Sequence, residues 1–176
     1  MGGWYLQPDC NMPSGESIVR QILIGKLYFK EKFGVEATTA INVDSFGHSR
    51  GLVQILAQSG YDSYLIGRPN KARGQDLDGE QFIWTGLDGS EIMVKRVLRG
   101  YGTRVNAVMP ALEEWLKKNT AFRVETFCWG VGDHGGGASR QDLTELSRFL
   151  AKPNDIEIRH STPEALFADL LAGDVL

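Results

Sequence analysis

The chain has 176 residues, 42% hydrophobic and 23% charged, a make-up suited to one soluble globular domain that can bury a core. Its 19 Lys and Arg face 22 Asp and Glu for a net charge of -3, and neither sign forms a long run. That excludes the basic footprint of a nucleic-acid or anionic-membrane binder and points to a small or neutral ligand.

The N-terminal residues Met1-Gly2-Gly3-Trp4 have neither the basic start nor the apolar centre of a secretory signal, and no apolar run reaches the roughly 18 residues of a membrane span, so a cytoplasmic location is expected. Gly3-Trp4-Tyr5-Leu6 reads as a strand that starts almost at the first residue, as though a longer chain had been cut there. Pro13-Ser14 opens a long helix, with Ile18, Val19, Ile22, Leu23, Leu27 and Tyr28 recurring at three- and four-residue steps and Gly34 placed to stop it. Thr38 to Val43 is a β-branched, apolar strand. A second helix runs through Leu52, Ile55 and Leu56 to Gly60, with Ser49 as its cap, and Ser63 to Ile66 is the next strand. The alternation predicts a parallel sheet with helical crossovers.

The period changes from Glu80 to Val97, where Phe82-Ile83-Trp84-Thr85 and Ile92-Met93-Val94 flank Asp88-Gly89, predicting a hairpin inserted on the fold. A helix near Ala107 to Lys118 leads to a strand over Val124 to Trp129 and then to Gly130-Val131-Gly132-Asp133-His134-Gly135-Gly136-Gly137. Ser139 with Asp142 caps a further helix, Ile156 to Arg159 is a strand, and Ser161-Thr162-Pro163-Glu164 is a capping box for the last helix. Cys10 and Cys128 are too few for a disulfide framework and are expected as buried free thiols.

Four predicted strands are followed at once by polar loops: Asp9; Asp44 with His48; Arg68; and Asp133 with His134. In parallel α/β folds such loops share the carboxyl face of the sheet, where sites are assembled from several strands. Two carboxylates brought together there suit glycoside hydrolysis, and a metal could add charge stabilisation. Asp9 and Asp133 have an equally ordinary alternative as helix caps, whereas Asp44 is separated from the next helix by Gly47.

The segment Gly3-Trp4-Tyr5-Leu6-Gln7-Pro8-Asp9-Cys10-Asn11-Met12-Pro13-Ser14-Gly15-Glu16-Ser17, the following Val19-Arg20-Gln21, the run Asp44-Ser45-Phe46-Gly47-His48-Ser49 and Gln54-Ile55-Leu56 resemble the N-terminal catalytic domain of glycoside hydrolase family 38 alpha-mannosidases. The resemblance implies that residues 1–176 are part of that domain, truncated at both ends, and that their βαβ units belong to a seven-stranded (β/α) barrel-like structure. It implies a retaining, zinc-dependent enzyme acting on mannose-containing glycans. By it, Asp44 is the nucleophile and also a zinc ligand, Phe46, Arg68 and Asp9 face the substrate, and Asp133, with His134 as the alternative, supplies the general acid. His48 then orients its loop through hydrogen bonds, and His160 has no chemical role. The family's zinc site also uses a His-x-Asp motif and a further His that this sequence lacks, so the isolated chain is expected to bind zinc poorly and to hydrolyse little.

Two other readings remain open. One is a carbohydrate-binding fragment without catalysis, in which Trp4, Phe46, Trp84 and Trp129 offer stacking faces. The other is a nicotinamide-dependent oxidoreductase, because Gly130 to Gly135 satisfies G-x-G-x-x-G between a strand and a helix. Against the latter, Asp133 would face the pyrophosphate with like charge. No nucleic-acid or membrane partner is expected, while self-association through exposed strand edges and apolar faces is.

Overall fold

The computed structural model describes residues 2–69, 79–97, 101–118, 123–132, 136–153 and 155–173. The chain divides into two compact units, residues 1–98 and 99–175.

In the first unit, helix α1 (Gly15–Phe33) begins where the side chain of Ser14 accepts the Ser17 N–H. It ends at Gly34, whose φ of 68° lets its N–H reach the Lys30 carbonyl. Ile18 and Ile22 are buried, but Val19, Leu23, Leu27 and Tyr28, from the same predicted stripe, lie exposed. The segment expected as a strand at Gly3–Leu6 is a series of bends instead. Its backbone bonds not to a neighbouring strand but to α1: the Tyr5 N–H donates to the Gln21 carbonyl (3.0 Å) and the Leu6 N–H to Gln21 Oε1 (3.0 Å). Trp4 Nε1 adds a bond to the Ile41 carbonyl (2.9 Å).

The sheet contains β1 (Thr39–Asn42), β2 (Ser63–Ile66), β3 (Gln81–Thr85) and β4 (Glu91–Arg96) in the order β1-β2-β4-β3. β1, β2 and β4 run parallel, and β3 closes the edge antiparallel to β4. The pairing of Thr39 with Ser63 is completed by their hydroxyls, 2.7 Å apart in a buried position. Helix α2 (Gly51–Gln58) crosses over from β1 to β2 and packs Leu52, Val53 and Leu56 into the core. Two expectations change here. β4 is a fully integrated strand, buried from Ile92 to Arg96 between β2 and β3, so the segment Glu80–Val97 is not an insertion lying on the fold. Ser49 does not cap α2 with its side chain; Arg50 is the N-cap and its guanidinium instead donates to the Thr85 carbonyl (3.0 Å).

In the second unit, α3 (Val108–Lys118) and α4 (Arg140–Leu150) join Val108, Leu112 and Leu146 into a core with Trp115, Phe127 and Trp129 around it, and α5 (Pro163–Ala172) follows. Ser139 is the N-cap of α4, accepting the Asp142 N–H (3.0 Å). The buried Asp142 carboxylate in turn accepts the N–H groups of Val108 (3.0 Å) and Asn106 (3.1 Å), holding the start of α3. The cap of α5 is Thr162 with Pro163 at the first turn, one residue later than the capping box predicts. Residues 125–129 and 157–160 form no ladder among the described residues; Val131 makes only an isolated bridge to Thr103. A strand requires a neighbour to complete its hydrogen bonds, which the local apolar pattern cannot supply. Among the described residues the sheet has four strands, and no helix is long and apolar enough to cross a membrane.

Candidate active site

The carboxyl ends of β1 and β2 lie side by side because the strands are parallel and in register, Asn42 beside Ile66. Each strand is followed at once by a polar loop, Val43-Asp44 and Gly67-Arg68. The loops touch at Gly67, where a Cβ would stand 2.2 Å from the Val43 carbonyl oxygen, so only glycine permits this approach. It delivers Arg68 to Asp44: Nε lies 2.7 Å and Nη2 2.5 Å from the same carboxylate oxygen, Oδ1. Both side chains remain partly open to solvent, 26% for Arg68 and 36% for Asp44. Among the described residues nothing bonds Oδ2. One oxygen of Asp44 is thus clamped by a guanidinium and the other is uncommitted.

Phe46 stands over this pair. The Arg68 guanidinium carbon lies 4.9 Å from its ring centroid, a cation–π contact, yet the residue is 71% exposed. A core role for Phe46 is therefore excluded, and the ring presents an apolar face beside a carboxylate. The next residue, Gly47, has φ 139° and would clash through a Cβ with Asn11 Nδ2 at 2.1 Å, which is how the first loop reaches the second. Cys10 completes that junction by bridging to His48. Asp9, exposed at the start of this loop, caps no helix; its Oδ1 accepts the N–H groups of Asn11 (2.9 Å) and Met12 (3.1 Å) in a local turn.

Beneath the pair lies a polar network, of which the sequence points to His48 as orienting its loop but not to the partners Tyr64 and Asn42. His48 Nε2 lies 2.9 Å from both the Arg68 carbonyl and Ser45 Oγ, and Nδ1 lies 3.1 Å from the Tyr64 hydroxyl. Tyr64 continues to Cys10 Sγ (3.7 Å), which accepts from Asn42 Nδ2 (3.0 Å). The imidazole is boxed edge-on by Tyr64 (82°) and Trp84 (89°). Burial pushes the His48 pKa down, only partly offset by the Arg68 carbonyl, and pushes the Cys10 thiol up. For those partners the hint in the sequence is Asn42, a polar residue inside an otherwise apolar strand.

The other predicted features are less concentrated. Asp133 and His134 lie outside the described residues. The helix that follows Gly130–Gly135 begins only at Arg140, and the residues before it form no ladder, so the strand–turn–helix context of a dinucleotide site is not found among the described residues. His160 lies 6.5 Å, centroid to centroid, from Trp129. Both cysteines are free thiols; Cys10 is buried as expected and Cys128 only half-buried. Among the described residues no group of three or more His, Cys, Asp or Glu side chains could hold a metal ion.

A sequence profile for the glycosyl hydrolases family 38 N-terminal domain matches residues 1–174. The human protein named alpha-mannosidase 2C1 is 31% identical over 173 residues, covering 97% of this chain and 16% of that protein. The Saccharomyces cerevisiae protein named alpha-mannosidase is 27% identical over 156 residues, 88% of this chain and 14% of its own. The crystal structure of an alpha-mannosidase from Enterococcus faecalis V583 superimposes with a TM-score of 0.74 at 20% identity, over 97% of this chain and 20% of that one, a likeness of fold. The chain thus spans about a sixth of the length of the first of these relatives.

Proposed function

The chain belongs to the family of glycosyl hydrolases family 38 N-terminal domains, and on that premise we propose that it is part of a retaining, zinc-dependent alpha-mannosidase acting on mannose-containing glycans. The observation that carries the proposal is the state of Asp44: a half-exposed carboxylate with Oδ1 clamped by Arg68 and Oδ2 uncommitted, beside the exposed ring of Phe46. The fold likeness and the parallel strands support assigning the sheet to a larger, seven-stranded barrel-like domain.

In this reading Oδ2 of Asp44 attacks the anomeric carbon, forming a mannosyl ester as the glycosidic bond breaks. Asp133 donates its proton to the departing oxygen. Water, deprotonated by the same Asp133, then displaces Asp44 from the sugar, and two inversions give net retention. Arg68 holds the attacking carboxylate in one orientation and favours its ionised form. Phe46 offers the sugar an apolar face, and the free oxygen of Asp9 is available to its hydroxyls.

A zinc ion would supply positive charge and hold sugar hydroxyls. The donor set fits only in part: the Asp44 carboxylate is a suitable hard ligand, but the described residues provide no further donors around it. No step above depends on the ion, and its other ligands would come from outside this chain. The isolated chain is accordingly expected to retain no stoichiometric zinc after dialysis and to turn over no aryl alpha-mannoside. Stoichiometric metal together with turnover would refute that expectation.

An activated fluorinated mannosyl donor, which accumulates the ester, tests the nucleophile in the complete gene product. Peptide mapping should find the label on Asp44. A different labelled residue would remove the mechanism, and sugar binding with no label anywhere would favour the non-catalytic carbohydrate-binding reading, for which the exposed Phe46 ring is the favouring observation.

A further inference from the structure

The network under Asp44 has a direction. The Arg68 carbonyl can only accept, so its 2.9 Å contact with His48 Nε2 is a hydrogen bond only when that nitrogen carries the hydrogen, which Ser45 Oγ, also 2.9 Å away, then shares as an acceptor. In the neutral ring Nδ1 is then an acceptor, and the Tyr64 hydroxyl at 3.1 Å donates to it. With its hydrogen so directed, Tyr64 presents lone pairs to Cys10, whose single thiol hydrogen has two acceptors in reach, the Tyr64 oxygen at 3.7 Å and the Pro8 carbonyl at 3.9 Å. Cys10 sulfur accepts from Asn42 Nδ2 at 3.0 Å, and the other amide hydrogen goes to the Pro8 carbonyl at 2.8 Å. From Tyr64 the donors therefore point one way, through His48 to the backbone of Arg68. Such a chain is polarised along its length, and each link fixes the tautomer or rotor of the next.

From this geometry we infer that His48, held as its Nε2–H tautomer by Tyr64, is a positioning residue that anchors the Arg68 backbone so that its guanidinium takes Oδ1 of Asp44 and leaves Oδ2 free. The significance for catalysis rests on Asp44 being the nucleophile; the anchoring itself does not. Three facts separate it from general packing. Among the described residues the imidazole touches no carboxylate, its bond goes to the main chain of the residue whose side chain clamps Asp44, and the rings of Tyr64 and Trp84 both meet it edge-on.

The test is nuclear magnetic resonance on the isotope-labelled chain, without substrate or metal. Long-range proton–nitrogen spectra should show His48 protonated at Nε2 and bare at Nδ1. The Arg68 Nε–H should give a resonance separate from the other arginines and protected from solvent exchange. His48→Gln places an amide nitrogen near the Nε2 position and should preserve that protection. His48→Asn reaches only the Nδ1 position and should raise the exchange rate about tenfold, the order expected for one lost hydrogen bond. His48→Leu should do the same, and melting curves of each variant establish that it is folded; if the leucine variant unfolds, the Gln and Asn pair decides. A His48 protonated at Nδ1, or equal Arg68 protection in the Gln and Asn variants, overturns the inference. None of these readouts involves a sugar, so failure here leaves the labelling experiment untouched, and failure of the labelling leaves this result standing.

Discussion

The two oxygens of Asp44 meet different surroundings, and that asymmetry is the chemistry of the site at the scale of single residues. Arg68 reaches Oδ1 with two nitrogens, and on its other face it lies against Phe46. Because Phe46 is 71% exposed, Phe46→Ala should leave the melting temperature unchanged while weakening binding of methyl alpha-mannoside. The weakening should be about three- to tenfold by titration calorimetry, the order of one aromatic contact. His48 makes a second prediction. Its pKa is lowered by burial, so between that value and the unfolded value of about 6.5 the unfolded chain binds a proton that the folded one refuses. The associated stability is present above about pH 6.5 and is lost as pH falls through the folded pKa. Thermal melts from pH 7 to 5 should show a declining midpoint for the wild type and a flatter profile for His48→Gln.

At the scale of elements, helix α1 shows how a sequence period can exceed the surface that receives it. Ile22 is 2% exposed and Leu23, its neighbour in sequence, 56%. Ile22→Ala should cost about 2–5 kcal/mol in urea unfolding, from lost burial plus the cavity left behind. Leu23→Ala should stay within about 0.5 kcal/mol, because no packing is lost there. Equal costs at the two positions would mean that the helix is rotated from the orientation described. Asp142 makes the complementary point about caps. A reader of the sequence can pair it with Ser139 in one helix, but its stronger duty is to the Asn106 and Val108 N–H groups of another. Burial opposes its charge, and those bonds with that from Ser139 nonetheless hold its carboxyl below the usual range.

At the scale of the whole molecule, the outward side of α1 aligns Val19, Leu23 and Leu27 at four-residue spacing, all exposed, with Ile24 and Tyr28 beside them. A contiguous apolar surface of this kind favours self-association. Sedimentation velocity should show an average mass that rises with concentration, and Leu23→Lys combined with Leu27→Lys should return the chain to a monomer. A wild-type monomer at all concentrations would count against it.

Much of this protein was legible in its sequence, for reasons of local physics. Ser14 and Gly34 bound α1, because a side-chain acceptor and a left-handed residue act within one turn of the backbone. The β-branched and apolar runs at β1 and β2, separated by a helix, imply parallel pairing through topology alone. The run Asp44–Ser49 carried the family resemblance, and the profile match over residues 1–174 agrees with it. What required the tertiary structure is everything that depends on a neighbour distant in sequence. The apolar run at Gly3–Leu6 is bent because its hydrogen-bond partner is Gln21 rather than a strand. β4 is integral because β2 lies beside it. Asp44 has one bound and one free oxygen because Gly67 lets Arg68 approach across 24 residues, and the Tyr64–Cys10–Asn42 chain exists only where three separate segments meet. Periodicity and caps are read along the chain; ladders, clamps and hydrogen-bond direction are decided across it.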